Sequence, residues 1–176
     1  MEKVLITYFS RAGENYMSDG IREIKIGNTK IIAEYLHDIL KCDIYEIESD
    51  YKYPTKYNDC VKVAQDDLIN HKKMNILNIP KNIDDYDVIF LGFPNFWGTI
   101  PMPVYWFLKT IKTEGKTIYP FCTSEGSGFS NSLKDIASLC PKATIKDGLP
   151  LRGSDANISK PFIEKWLASG YYNDQK

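Results

Sequence analysis

The stretch Ser10-Arg11-Ala12-Gly13-Glu14-Asn15-Tyr16 has the composition of an anion cradle. It follows the β-forming run Lys3-Val4-Leu5-Ile6-Thr7-Tyr8-Phe9, and a helix start is expected at Gly27-Asn28-Thr29. Free N–H groups at a helix start carry partial positive charge and hold an anion without a large basic cluster. Ser10, Asn15 and Thr29 can add hydroxyl and amide groups, and Asn28 or Thr29 can cap the helix. Only three of the 22 basic residues are arginine, and two of those, Arg11 and Arg152, fall just past expected strands. Alone, the stretch fits equally well a solvated loop with an ordinary cap.

Pro94-Asn95-Phe96-Trp97-Gly98 is chemically different. Phe96 and Trp97 come directly after an apolar strand instead of alternating within it, which argues against a purely core role. An indole is a natural stacking surface for a planar heteroaromatic, worth roughly 0.5–1.5 kcal/mol beyond its area burial. Gly98 would let backbone approach such a ring closely. The third stretch, Ser124-Glu125-Gly126-Ser127-Gly128, is small and flexible. It lacks the third glycine of a dinucleotide fingerprint and falls after the wrong strand, so a Rossmann-type NAD site is rejected there. Glu125 is its one acid, expected either to point at a bound ring and lower its potential or to stand in solvent.

Strands and helices must bring these stretches together. Helical spacing of Ile31, Ile32, Tyr35, Leu36, Ile39 and Leu40 predicts a helix over 29–40. A short strand is expected at 42–47 and a helix with a thin apolar stripe at 57–73. The continuous apolar run at 87–93 predicts a central strand covered on both faces. A helix at 104–112 with Pro103 in its entry, a strand at 117–123 and a helix at 130–139 follow. Next come a short strand near 143–145 or 149–151 and a last helix at 159–168. The alternation predicts one α/β domain over 1–176, with a parallel sheet and helices on both faces. Ligands of such sheets lie outside the carboxyl ends of the strands, where all three stretches fall. Residues 17–26 interrupt the first stretch, either as a loop closing over the ligand or as a structural excursion.

The composition excludes several classes. A net charge of -1 without a basic run argues against nucleic acid and membrane surfaces. No stretch reads as a signal segment or a bilayer span, so a cytoplasmic address is expected. Cys42, Cys60, Cys122 and Cys140 show no paired spacing and read as free, buried thiols. With His37 and His71 isolated, no metal site is expected. The aromatic run 51–57 could edge the cleft or pack beneath a loop.

On these residues the chain resembles the flavodoxin-like family, especially a short-chain branch with a Tyr-Phe-Ser-Arg start. Tyr8–Arg11, Gly27-Asn28-Thr29, Pro94–Gly98 and Glu125–Gly128 carry the likeness, which spans roughly residues 3 to 168. The resemblance implies a three-layer sandwich with a five-stranded parallel sheet of order 2-1-3-4-5, and FMN bound non-covalently at its switch point. It implies that Ser10, Arg11, Ala12, Asn15, Tyr16 and Thr29 serve the cofactor's phosphate end. Pro94, Asn95, Phe96, Trp97 and Gly98 would lie against its ring, together with Ser124, Glu125, Gly126, Ser127 and Gly128. Backbone groups of 95–98 could reach the flavin N5, and no protein acid/base pair is needed. The chain departs from electron-carrier flavodoxins in being nearly neutral where they are acidic.

Two activities follow from that resemblance: electron transfer with redox partner proteins, or NAD(P)H-dependent reduction of quinones or similar small acceptors. A phosphoacceptor domain shares the sheet order but needs acids where this chain has Ser10-Arg11 and Pro94-Asn95. A cofactor-free interaction module is the remaining alternative.

Overall fold

The chain begins as a buried strand because Leu5, Ile6, Thr7 and Tyr8 are covered from both sides. The structure, a computed structural model, describes residues 2–176. Strand β1 is Val4–Tyr8; β2 (Gly13–Met17) and β3 (Gly20–Ile24) form an antiparallel hairpin before helix α1 (Asn28–Leu40). Strands β4 (Asp43–Glu46) and β5 (Glu48–Ser49) precede α2 (Tyr57–Ile69), and β6 (Ile76–Leu77) pairs antiparallel with β5. Then come β7 (Val88–Pro94), α3 (Met102–Thr110), β8 (Thr117–Ser124) and α4 (Ser132–Leu139). The chain closes with β9 (Thr144–Ile145), β10 (Leu149–Arg152), a 3-10 turn at Gly153–Ile158, α5 (Lys160–Ser169) and α6 (Tyr171–Asp174).

The main sheet runs β4-β1-β7-β8-β10, all parallel, which is the expected 2-1-3-4-5 order. Its fifth strand comes in two pieces: β9 pairs with Thr117–Ile118 and β10 with Phe121–Ser124. Both sites considered for that strand are therefore strand. The break falls opposite Tyr119-Pro120, where proline has no N–H to offer a neighbour.

Strand periodicity sorts the core. Ile89, Leu91 and Phe93 of β7 join Val104 and Phe107 of α3 and Ile136 of α4 on one face. Val88 and Phe90 join Ile32 and Leu36 of α1 and Ile163 and Leu167 of α5 on the other. The run 87–93 is thus a central strand with two buried faces. Helix α3 starts at Met102, two residues earlier than its spacing predicts, with proline in its first turn. Helix α2 stops at Ile69 instead of reaching 73, because Asn70 ends it and His71 turns left-handed with φ 47°. No described helix is long and apolar enough to cross a membrane.

Candidate functional site

The loops after β1, β7 and β8 meet at the carboxyl edge of the sheet around a cleft of about 460 Å³. That volume lies in the range of small-molecule sites. Of the residues singled out in the sequence, Arg11, Asn15, Tyr16, Pro94, Asn95, Phe96, Trp97, Gly98, Ser124, Glu125 and Ser127 line it. Ser10, Ala12, Gly126 and Gly128 in the same loops, and Thr29 in the first turn of α1, do not line the cavity.

At one end lies the helix start. Neither Asn28 nor Thr29 caps α1: the Ser10 hydroxyl, 20 residues upstream, accepts from the Lys30 N–H at 3.1 Å. Thr29 is 2% exposed, and its hydroxyl pairs with that of Thr123 at 2.9 Å, joining the loops after β1 and β8 from beneath. The backbone N–H groups of Ser10, Arg11, Ala12, Asn28 and Thr29 find no acceptor among the described residues. These donors, backed by the dipole of a 13-residue helix, are what an anionic tail requires.

The Arg11 guanidinium, unlike its backbone N–H, is committed to carbonyls of the protein itself. Its Nε and Nη2 donate to the Pro54 carbonyl at 3.1 and 2.7 Å. Nη2 also donates to Thr55 O at 2.8 Å, and Nη1 to Glu14 O at 2.6 Å. Four of its five N–H groups thus tie the hairpin to the segment before α2. Asn15 likewise donates to the carbonyls of Arg11 and Gly13, both at 3.2 Å.

The excursion at 17–26 is the turn and second strand of the hairpin, which walls the cleft rather than folding over it. At its base Glu14 accepts from Lys56 Nζ at 2.8 Å and the Tyr57 N–H at 3.0 Å. At its tip the Ser18 N–H donates to Ser154 Oγ at 2.8 Å. Glu125 lines the cleft, and its two oxygens accept from the Ser154 N–H and hydroxyl, both at 2.8 Å. One latch therefore joins the hairpin tip, the 3-10 turn and the third loop.

The Lys56 hydrogen bond, then that of the Tyr57 N–H, holds the Glu14 carboxyl below its ordinary value of 4.5. A lowered folded value means that Glu14 stabilises the fold above about pH 4.5, and this contribution fades as pH falls through the folded value. Glu14→Gln should therefore be less stable than wild type at pH 7, with a smaller gap at pH 3. Urea midpoints at the two pH values check this, and an equal gap at both would refute it.

At the other end, the Phe96 and Thr99 backbones bond each other in both directions, at 3.0 and 3.1 Å. Trp97 (φ 54°) and Gly98 (φ 78°) are the centre of this turn. Positive φ at both central positions is the signature of a type I′ turn. For tryptophan it costs on the order of 1–3 kcal/mol and persists only because the surrounding bonds hold the turn. The indole is 48% exposed and donates Nε1 to the Val61 carbonyl of α2 at 2.8 Å. Asn95 welds the second loop to the third: Nδ2 donates to Gly128 O at 2.8 Å and Ser130 Oγ at 3.1 Å, and Oδ1 accepts from Gly98 N–H at 2.8 Å. Within 95–99 the Trp97 N–H alone has no acceptor among the described residues. It is thus the one free backbone donor of the group expected to reach a ring nitrogen. The Ser124 hydroxyl accepts from the Gly128 N–H at 2.9 Å and shapes the third loop.

The cleft has a wall that the sequence did not suggest. Tyr57, Cys60, Val61 and Ala64 line it from α2, and Asn28, Thr123 and Gly153 complete the opposite end. Burial pushes the Cys60 thiol up, an effect the neighbouring Arg11 guanidinium partly offsets. The 51–57 segment plays both roles considered for it. Tyr53 packs edge-on against Phe9 and Phe96 at 5.9 and 5.6 Å, behind the second loop, while Tyr57 reaches the cleft.

A 2-1-3-4-5 sheet with a cleft beside β1 and β7 defines an α/β protein with its site at the topological switch point. The chain belongs to the flavodoxin family, whose model matches residues 3–169. It is similar to a presumed flavoprotein from Bacteroides eggerthii (27% identity, TM-score 0.75, covering 96% of this chain and 98% of that one). A second, from Bacteroides uniformis, is 24% identical with a TM-score of 0.71, covering 93% and 98%. A flavoprotein from Lactobacillus acidophilus, solved in complex with FMN, is 20% identical with a TM-score of 0.63, covering 91% and 98%. No curated protein matches the sequence.

Proposed function

We propose that this protein binds FMN non-covalently and transfers electrons through it. The observation that carries the reading is one cleft with unclaimed backbone N–H groups at its helix end and a half-exposed indole at its other end. The residues present fit the group: the Ser10–Ala12 and Asn28–Thr29 backbone suits a phosphate, and the uncharged Ser124 and Ser127 suit a polar chain and ring edge. Bound there, FMN would supply the one- and two-electron chemistry. The protein's part is to hold the tail by backbone donors, flank the head with Trp97, and offer the Trp97 N–H to a ring atom. The FMN complex of the Lactobacillus acidophilus flavoprotein supports the choice of nucleotide.

The test is titration of cofactor-stripped protein with FMN, followed by quenching of flavin fluorescence. Wild type should saturate at one equivalent, and Trp97→Ala should bind roughly ten-fold more weakly, the loss of a stacking contact of about 1.5 kcal/mol. Unchanged affinity in Trp97→Ala would remove the stacking role. A net charge of -1 gives little steering toward basic redox proteins and favours a second reading, reduction of small acceptors with NAD(P)H. Steady NAD(P)H consumption by holoprotein with a quinone, and no other protein, separates the two.

A further inference from the structure

We propose that the helix end of the cleft selects the cofactor: it admits a flavin whose tail ends in one phosphate and excludes a flavin dinucleotide. The proposal rests on the FMN reading and assigns a role to the tip of the β2–β3 hairpin. The selecting group is the contact of Met17 and Ser18 with Asn28, Gly153, Ser154 and Glu125 beside the start of α1.

The contact is continuous. The Asn28 side-chain amide meets the Met17 sulfur at 3.6 Å. Gly153 is buried against Asn28 and Glu125: a Cβ there would lie 2.5 Å from Asn28 Nδ2 and 3.0 Å from Glu125 Oε1. The Ser154 hydroxyl donates to Glu125 Oε2 and accepts from the Ser18 N–H, which clamps the hairpin tip to the third loop. The foot of the hairpin is closed as well, because Arg11 and Glu14 tie it to residues 54–57. The cleft is open instead where its aromatic side chains stand, with Tyr16 54% and Trp97 48% exposed. A nucleotide with its phosphate on the α1 backbone and its ring against Trp97 therefore points its tail at the closed end.

Two effects then reject a longer tail. A phosphomonoester ends at the free N–H groups of 10–12 and 28–29 and needs no further room. A dinucleotide continues through a second phosphate to a ribose and an adenine, which must break the Met17–Asn28 and Gly153–Glu125 contacts to pass. Its second phosphate would also stand beside Glu125, whose carboxylate lines this end. The first phosphate has the α1 N–H groups to answer its charge. The second has none there, since the Ser154 N–H and hydroxyl are spent on Glu125. A clash and a like charge set against one ligand reject it without any added contact to the other.

The test is calorimetric titration of cofactor-stripped protein with FMN and with FAD. Wild type is compared with Met17→Ala/Ser154→Ala, which opens the contact and leaves the phosphate donors in place. Wild type should favour FMN by at least about 100-fold, and the double variant by roughly ten-fold or less, as the barrier of bulk and charge is relaxed. The change should come from tighter FAD binding, with FMN affinity within about three-fold of wild type. Met17→Ala alone keeps every bond of Ser154. It should move the ratio in the same direction, and it decides the matter if the double variant does not fold. Wild type that takes up FMN and FAD alike would overturn the proposal, as would unchanged FAD affinity in the folded variants. So would a change of ratio that comes from weaker FMN binding, because the tip would then hold the phosphate itself. Wild-type protein that takes up no FMN would instead overturn the parent reading.

Discussion

Gly27→Ala should lower FMN affinity by at least about 100-fold while leaving a folded protein. A Cβ at Gly27 would overlap the Ser10 hydroxyl and lie 2.8 Å from the Arg11 carbonyl oxygen and 2.9 Å from its carbon. The hydroxyl can rotate away, but the backbone cannot move without displacing the row of N–H groups from Ser10 to Ala12. Hydrogen bonds to a charged partner are worth about 1.5–3 kcal/mol each, so misplacing two of them accounts for the loss. The Ser10 contact to Lys30 N–H would be lost as well, costing roughly 1 kcal/mol of stability as for other helix caps. Fluorescence titration with FMN and a thermal melt of the apoprotein separate the two effects. Affinity within a few-fold of wild type would show that the anion sits elsewhere.

Phe90→Ala should produce the largest loss of stability, about 3–5 kcal/mol, with little change in FMN affinity while the protein stays folded. Phe90 is fully buried on the central strand, on the α1–α5 face. Its ring stacks on Tyr119 at 5.0 Å with planes 18° apart and meets Trp166 and Tyr171 edge-on at 5.6 and 5.3 Å. Three aromatic neighbours of fixed shape cannot collapse into the space it leaves, so the cavity persists and the cost sits at the high end. The melting temperature should fall by roughly 10 °C or more for a chain of this size. A fall of only 1–2 °C would mean that the aromatic cluster repacks freely.

These two positions also mark what sequence could and could not reveal. Phe90 was legible because Asp87–Phe93 is a continuous apolar run whose alternate residues must face two helical layers. The order of the main strands came through the resemblance, and the backbone agrees with it. The capping of α1 by Ser10 was not legible, since the two partners are 20 residues apart and a hairpin intervenes. That hairpin hid because Gly13–Met17 and Gly20–Ile24 are half-exposed, with charged residues where a buried strand would carry valine or isoleucine. Its signal was Ser18-Asp19-Gly20, a turn between two short runs carrying Tyr16 and Ile21, which face each other across the pair.

Arg11 was recognised as unusual, but its carbonyl partners at Pro54 and Thr55 lie 43 and 44 residues away, beyond any local pattern. The stripe on α2 looked thin for a related reason. Tyr57, Cys60, Val61 and Ala64 all line the cavity, so the helix spends part of its apolar side on a ligand space instead of the core. Glu125 was the least legible residue: nothing near it in sequence announces Ser154 as the partner of both its oxygens.

Gly13 and Ile24 stand opposite each other where the hairpin leaves the body of the protein, so its two feet are already joined. Lengthening the tip beyond Ser18 and Asp19 would add only slowly to chain-closure entropy, about 0.6 kcal/mol for each doubling of a flexible loop. The anion-holding backbone at either foot would keep its spacing throughout. The tip is thus a splice point, where new sequence can be grafted to meet a partner while the machinery below it stays in register.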